Sequence, residues 1–194
     1  MIKIFVSIVF CIIFKITASF GLNNNNEELF LKIENYFKTL NTLEADFIQI
    51  APDGSISEGK FYLDLPGKLR FDYKKPNNLL ITCQGFWVIV QDRKIKQTTN
   101  VPLNETPLSF FLNKDLNFKQ KTINAFITKE LGLITLLLKK NEKEGKLTLK
   151  FSENPVRLKK WIITDNFDNE TSILMQNVKT GGKLSHLLFF PDDF

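Results

Sequence analysis

Apolar residues change their spacing several times along this chain, and each change marks a different kind of element. Residues 4–14 form a run of eleven that is apolar but for Ser7. From Leu29 the spacing becomes three and four. Leu29, Phe30, Ile33, Phe37 and Leu40 fall on one face of a helix, which is predicted over residues 27–40. Asn26 is placed to cap it, and Glu27 and Glu28 favour its positive end. After Leu40 the period drops to two. Ala45, Phe47 and Ile50 approximate a first strand, and Pro52-Asp53-Gly54-Ser55 turns it back. Gly59, Phe61, Leu63 and Leu65 alternate with Glu58, Lys60, Tyr62 and Asp64. Beyond the Pro66-Gly67 turn, Leu69, Phe71 and Tyr73 alternate with Lys68, Arg70 and Asp72, the pattern of a half-buried strand.

Residues 79–82 and 86–90 flank Gln84-Gly85 and read as a hairpin. Both of its faces are apolar, so both are expected to be covered. A polar strand follows at 94–101. At Pro107-Leu108-Ser109-Phe110-Phe111-Leu112 the alternation stops, and a short helix is predicted with Thr106 as cap and Pro107 at its first position. Alternation returns at 121–129 and 133–138. It continues through Leu147, Leu149 and Phe151, then Trp161 and Ile163, then Ile173, Met175 and Val178. Gly181-Gly182 opens a tail ending Leu187-Leu188-Phe189-Phe190-Pro191. About ten or eleven strands are expected, with turns every eight to twelve residues. An antiparallel meander of that length curls or closes, and helices at 27–40 and 106–113 are placed to fill its mouth.

Composition revises this picture at the N-terminus first. Lys3, the apolar run and then Thr17, Ala18 and Ser19 have the layout of a secretory signal peptide. Eleven residues rise about 16 Å as a helix, roughly half a bilayer core, too short for a stable span. The expected organisation is a leader at 1–20, cleaved, and one domain at 21–194. Removing Lys3 and Lys15 leaves 24 basic against 21 acidic residues, so the net charge falls from +5 to +3. The remaining lysines are interleaved with glutamates. They do not make a nucleic-acid stripe, and no nucleic-acid partner is expected. Cys83 becomes the one cysteine of the mature chain, so stability has to come from the core. With a single His (His186) and that one Cys, a zinc site or a His-based catalytic pair is improbable, and no metal, cofactor or enzymatic activity is expected. Fifteen of the 19 Phe lie beyond the leader, largely on one face of the strands and on the two helices. Their placement argues for an apolar cavity.

Several segments, in order, resemble the periplasmic outer-membrane lipoprotein carrier family (LolA). They are Leu43-Glu44-Ala45-Asp46-Phe47-Ile48-Gln49; Gly59-Lys60-Phe61-Tyr62-Leu63; Pro66-Gly67-Lys68-Leu69-Arg70-Phe71-Asp72-Tyr73; Gln84-Gly85-Phe86-Trp87-Val88; Val101-Pro102-Leu103 through Thr106-Pro107-Leu108; and Phe151-Ser152-Glu153-Asn154-Pro155 through Trp161. The resemblance implies a mainly β fold: an unclosed, strongly curved antiparallel half-barrel with an N-terminal helix and short helices as a lid over a hydrophobic cavity. It also implies a periplasmic monomer that binds acylated lipoproteins. The chain would receive them from an inner-membrane ABC-type lipoprotein release complex and pass them to an outer-membrane lipoprotein receptor. On that template Phe47, Phe61, Leu69, Phe71, Tyr73, Trp87, Ile89, Leu136 and Trp161 are the candidate acyl-cavity wall. Leu108, Phe110, Phe111 and Leu112 are the candidate lid. The sequence departs from the family at Asp64-Leu65, where many members carry a basic pair whose arginine helps to hold the lid. Lys68 and Arg70 alternate onto the face opposite Leu69 and Phe71, so that latch does not carry over. Two other readings compete: a lipoprotein-sensing or regulatory domain on the same half-barrel, and a hydrolase using carboxylates such as Asp72 and Asp92.

Overall fold

The computed structural model describes residues 24–112, 118, 124–139 and 145–194. The leader at 1–20, with Cys11, lies outside the described residues, as do the polar turn at 141–144 and the start of the strand expected from 121. Helix α1 is Asn24–Thr39. The strands are β1 (Thr42–Ile50), β2 (Ile56–Asp64), β3 (Lys68–Tyr73), β4 (Leu79–Gln84), β5 (Trp87–Asp92) and β6 (Gln97–Pro102), then β7 (Asn124–Glu130), β8 (Leu133–Lys139), β9 (Lys146–Glu153), β10 (Val156–Thr164) and β11 (Glu170–Thr180). A 3-10 turn (Leu103–Glu105) and helix α2 (Leu108–Phe111) follow β6, and a second 3-10 turn (His186–Phe189) lies in the tail.

All eleven strands form one antiparallel sheet, ordered β6-β5-β4-β3-β2-β1-β11-β10-β9-β8-β7. It consists of two meanders, β1–β6 and β7–β11, joined where β1 pairs with β11. Among the described residues β6 and β7 are the unpaired edges, so the barrel is unclosed, as the family resemblance implied.

Alternation along each strand puts one apolar row after another on the concave side. Leu43, Leu63, Leu69, Cys83 and Val88 stand opposite one another across β1 to β5. Ala45, Phe61, Phe71, Ile81 and Val90 form the next row across the same strands. On the other half, Ile127, Leu136, Leu149, Trp161 and Ile173 continue the wall. Gly59 is required where it stands. A Cβ there would come within 2.5–2.7 Å of the Phe47 ring and would also meet the Asp72 carbonyl.

α1 buries Leu29, Ile33 and Phe37, with Leu40 buried just past its end, and lies against β7 and β10. It begins at Asn24, so Asn26 sits inside its first turn and does not precede it. In β1 the inward residue after Phe47 is Gln49. Ile50 faces outward and is exposed, because strict alternation outweighs its apolar character. Pro107, and not Thr106, occupies the N-cap of α2. Thr106 closes the 3-10 turn before it, donating its hydroxyl to the Leu103 carbonyl at 2.9 Å.

The tail was expected only as a tail; it covers the convex face of β3–β5. Phe189 is buried there with Leu80 and Thr82. Arg70 Nη1 donates to the Leu188 carbonyl at 3.0 Å. Gln91 and the backbone of Asp192 exchange two hydrogen bonds of 2.9 and 2.7 Å. Arg93 bridges Asp192 and Asp72, each at 2.6 Å. The hairpin's two apolar faces are therefore both covered over part of their length, the convex one by this strap.

Candidate functional site: an apolar wall under a short lid

The centre of the concave face is aromatic. The Phe61 and Phe71 ring centroids lie 4.7 Å apart, with Trp161 at 5.4 Å from Phe61 and 5.6 Å from Phe71. Phe47 meets Phe71 edge-on at 5.1 Å and Tyr73 at 5.0 Å. Such edge-to-face pairs add about 0.5–1.5 kcal/mol each to what burial alone gives. Seven of the candidate wall residues, Phe47, Phe61, Leu69, Phe71, Tyr73, Leu136 and Trp161, share this one concave surface and are buried.

Trp87 and Ile89 do not. They stand opposite Gln84 and Thr82 on β4, in the rows of the convex face, and Trp87 is 50% exposed. In this hairpin every position is apolar or uncharged, so alternation carries no sign of which face is inward. The inward residues of β5 are Val88 and Val90.

A polar pair interrupts the wall. The Tyr73 hydroxyl donates to Gln49 Oε1 at 2.6 Å. Burial pushes the Tyr73 pKa up to about 12, so the phenol stays neutral. Burial likewise pushes Cys83 up to about 11, which leaves a small apolar thiol in the wall and no reactive thiolate near neutral pH. Among the described residues no group of three or more His, Cys, Asp or Glu is placed to hold a metal ion. Asp72 is committed to Arg70 and Arg93 on the convex face, and Asp92 accepts the amides of Lys94 and Ile95 in a turn. These two carboxylates do not converge on a shared site for hydrolysis.

Two covers lie on the wall. α1 stacks Tyr36 and Phe37 against Phe151, at 5.6 and 6.1 Å, and Phe30 against Phe118 at 5.4 Å. The second cover, residues 103–112, is the expected lid. Leu108 and Phe110 are half-buried against the core and Leu112 is buried. Phe111 closes α2, and its side chain lies outside the described residues. Backbone hydrogen bonds pin the segment at its ends, Leu103 N–H to the Phe86 carbonyl at 2.9 Å and Gly67 N–H to the Leu112 carbonyl at 3.1 Å. A cavity of about 340 Å³ lies between this segment and Ile163, Thr164, Asp165 and Asn166. Lys68 and Arg70 are engaged on the convex face and do not latch the lid among the described residues. Lys68 pairs with Asp64 at 2.9 Å and lies over the Phe189 ring, and Arg70 holds the tail.

A four-residue helix is far below the length at which helices are stable alone. α2 is held by tertiary packing, with Leu108 and Phe110 half-buried against the core and Leu112 buried just beyond its end. Full burial of such a side chain is worth about 1.5–3 kcal/mol, and half-burial correspondingly less. The site is a buried apolar wall with a short apolar cover, on an unclosed half-barrel.

Comparison with known proteins places the chain more closely. Residues 38–192 match the family model described as outer membrane lipoprotein carrier protein LolA. An outer-membrane lipoprotein carrier protein of Methylococcus capsulatus is 30% identical over 168 residues, covering 81% of this chain and 80% of that one. One from Coxiella burnetii is 25% identical over 200 residues, covering 97% and 92%. Among solved structures, an uncharacterized conserved protein from Thermus thermophilus has a TM-score of 0.52 at 11% identity, covering 86% of this chain and 94% of that one. MucB has a TM-score of 0.52 at 7% identity, covering 87% of this chain and 63% of its own. These two likenesses concern the fold. The chain belongs to the LolA family of outer-membrane lipoprotein carrier proteins, whose members are periplasmic and work in lipoprotein transport.

Proposed function

We propose that this protein is an exported, monomeric carrier, without enzymatic activity, that takes up the acyl chains of lipoproteins on its concave wall and delivers them to an outer-membrane receptor. Export uses the leader at 1–20, and loading takes place at an inner-membrane ABC-type release complex. The observation that carries the reading is the buried surface of Phe47, Phe61, Leu69, Phe71, Tyr73, Leu136 and Trp161, covered by a segment that has no stability of its own.

Physical chemistry sets the need for such a surface. At about 0.8 kcal/mol per methylene, one sixteen-carbon chain costs roughly 12 kcal/mol to leave in water. Free diffusion between two membranes is therefore negligible without an enclosing protein. Release needs the opposite property. Loading exchanges lid-to-wall contacts for acyl-to-wall contacts, so the net affinity is a difference and stays moderate. No nucleophile, acid or metal takes part.

Mass spectrometry of the protein purified from its native envelope tests this. Acylated lipoprotein is expected in the preparation, and donor membranes are expected to lose it to acceptor membranes when the protein is added. A protein that is always empty and transfers nothing would contradict the carrier role. It would support the second reading, a lipoprotein-sensing or regulatory domain on the same fold.

A further inference from the structure

The sheet splits at one place. β10 and β11 pair from Lys160 opposite Leu174 to Thr164 opposite Glu170, and no further. Beyond that point Val156, Arg157 and Leu158 remain paired to β9 on their other side, and β11 runs on along β1 to Thr180. Both strands bulge here. The register of β10 on β9 shifts between Leu158 and Lys160, and that of β1 on β11 between Glu44 and Asp46. Asn177 takes a φ of +51°, in the left-handed region, and donates to Asp46 Oδ2 at 2.7 Å. Bulges bend strands and increase their twist, and two bulged neighbours splay into a fork.

The fork is hollow. One cavity of about 280 Å³ is lined by Tyr36, Leu40, Val156, Arg157, Val178 and Thr180. A second of about 410 Å³ is lined by Arg157, Leu158, Lys159, Met175, Asn177 and Val178. Arg157 and Val178 belong to both. Three chemistries meet in this space. The lips are two strand edges without each other as partner, and such edges accept an added strand. The rim carries more positive than negative charge: Arg157, Lys159 and Lys179 are exposed and form no ion pair within 4.0 Å among the described residues, and the one carboxylate set against them by register is Glu44, opposite Lys179 on β1. The floor is apolar, with Leu158 and Met175 buried in the main core and Met175 opposite Phe47 on the wall. At the floor the Tyr36 hydroxyl is buried without a well-aligned hydrogen bond. Burial raises its pKa against the opposing effects of the Leu158 backbone and the Arg157 charge, so it remains a neutral donor.

We infer that the fork is a peptide site: it takes an extended acidic stretch of the cargo, following its acylated end, as a strand between β10 and β11, with its carboxylates on Arg157, Lys159 and Lys179. The inference rests on the carrier reading. The occupant follows from continuity and charge. A molecule whose acyl chains lie on the wall beside Phe47 and Met175 reaches the outside through this gap, and the rim it passes is positive.

The test uses the mature protein and three probes: a diacylated peptide with an acidic linker, its twin with a basic linker, and a diacyl lipid without peptide. At low salt the acidic peptide is expected to bind about tenfold more tightly than its twin, since several exposed pairs at 0.2–1 kcal/mol each sum to that ratio. The double variant Arg157→Glu with Lys159→Glu is expected to abolish the preference while leaving lipid binding unchanged. Both side chains are on the surface, so the variant folds, and an unchanged melting temperature verifies it. Amides of residues 157–159 and 176–179 are expected to gain hydrogen-exchange protection with the acidic peptide only. Equal binding of the two peptides, or a preference that survives the double variant, overturns the fork while lipid binding keeps the carrier reading intact. Arg157-dependent binding to anionic vesicles without any linker preference also overturns it, in favour of a headgroup surface. If neither the lipid nor the peptides bind, the carrier reading fails and the fork inference falls with it.

Discussion

Residues 103–112 on the concave side and residues 183–192 on the convex side are both short covers, and they approach the same half of the sheet from opposite directions. The concave cover holds on through Leu108, Phe110 and Leu112 and through backbone bonds at its ends. The convex cover buries Phe189 and is then tied down by Arg70, Gln91 and Arg93 to named carbonyls and carboxylates. Apolar contact has no direction, so any apolar body of similar shape takes its place. Charge-assisted hydrogen bonds are directional, and a hydrocarbon chain cannot supply them. The convex cover is therefore fixed by directional bonds, and the concave one is the cover that the proposed function would exchange for a ligand.

Breaking the concave side has the largest effect. Phe71→Ala removes the ring that touches Phe47, Phe61 and Trp161 and is expected to cost about 3–5 kcal/mol in urea unfolding. Binding of a fluorescent acyl probe is expected to weaken in the same variant. Loosening the lid sharpens the contrast. Leu112→Ser frees the buried end of the lid, and acyl affinity is expected to rise about fivefold because less competing contact is displaced. Unchanged or weaker binding would mean that the lid does not compete with the ligand.

On the convex side the effects are smaller and do not involve the ligand. Arg93→Ala is expected to cost about 1 kcal/mol, to speed proteolysis of the tail, and to leave acyl binding as it was. Acid acts on the same latch. Burial works to lift the Asp72 pKa, but Arg93 and Arg70 more than offset it and hold the carboxyl below its usual value. A depressed folded pKa stabilises fully above the unfolded value, near 3.9, and the contribution is lost as pH falls through the folded one. Tail protection in hydrogen exchange is thus expected to stay level from pH 8 to 5 and to drop below about pH 4, and a drop already at pH 6 would assign the latch to another group. The smallest effect belongs to Trp87→Ala, expected within about 0.5 kcal/mol and without change in binding, since this side chain is half exposed on the convex face.

Where alternation separated polar from apolar, the sequence was enough. Leu69, Phe71 and Tyr73 face inward as their polar neighbours required, and Lys68 and Arg70 face out. Where both faces were apolar it was not enough. Trp87 and Ile89 belong to a hairpin whose inward side is decided by register with Cys83 and Ile81, and whose outward side is covered by a tail about a hundred residues away. The latch was illegible for the same reason, since Arg70 reaches Leu188 across 118 positions. Its one local trace was the run Leu187-Leu188-Phe189-Phe190, too apolar for a solvated tail. The fork between β10 and β11 depends on two bulges, whose trace in the sequence is a spacing of three in place of two, Leu158 to Trp161 and Met175 to Val178, and that slip does not say that the two strands part there.

The chain's two tryptophans lie on the two sides being compared, Trp161 buried in the wall and Trp87 exposed on the convex face. Quenching by an acyl lipid brominated along its chains therefore reports directly where the chains lie. With Trp87→Phe, leaving Trp161, emission is expected to fall as the lipid is added. With Trp161→Phe, leaving Trp87, it is expected to stay constant. Quenching of Trp87 with Trp161 unaffected would contradict the concave wall as the site of acyl binding.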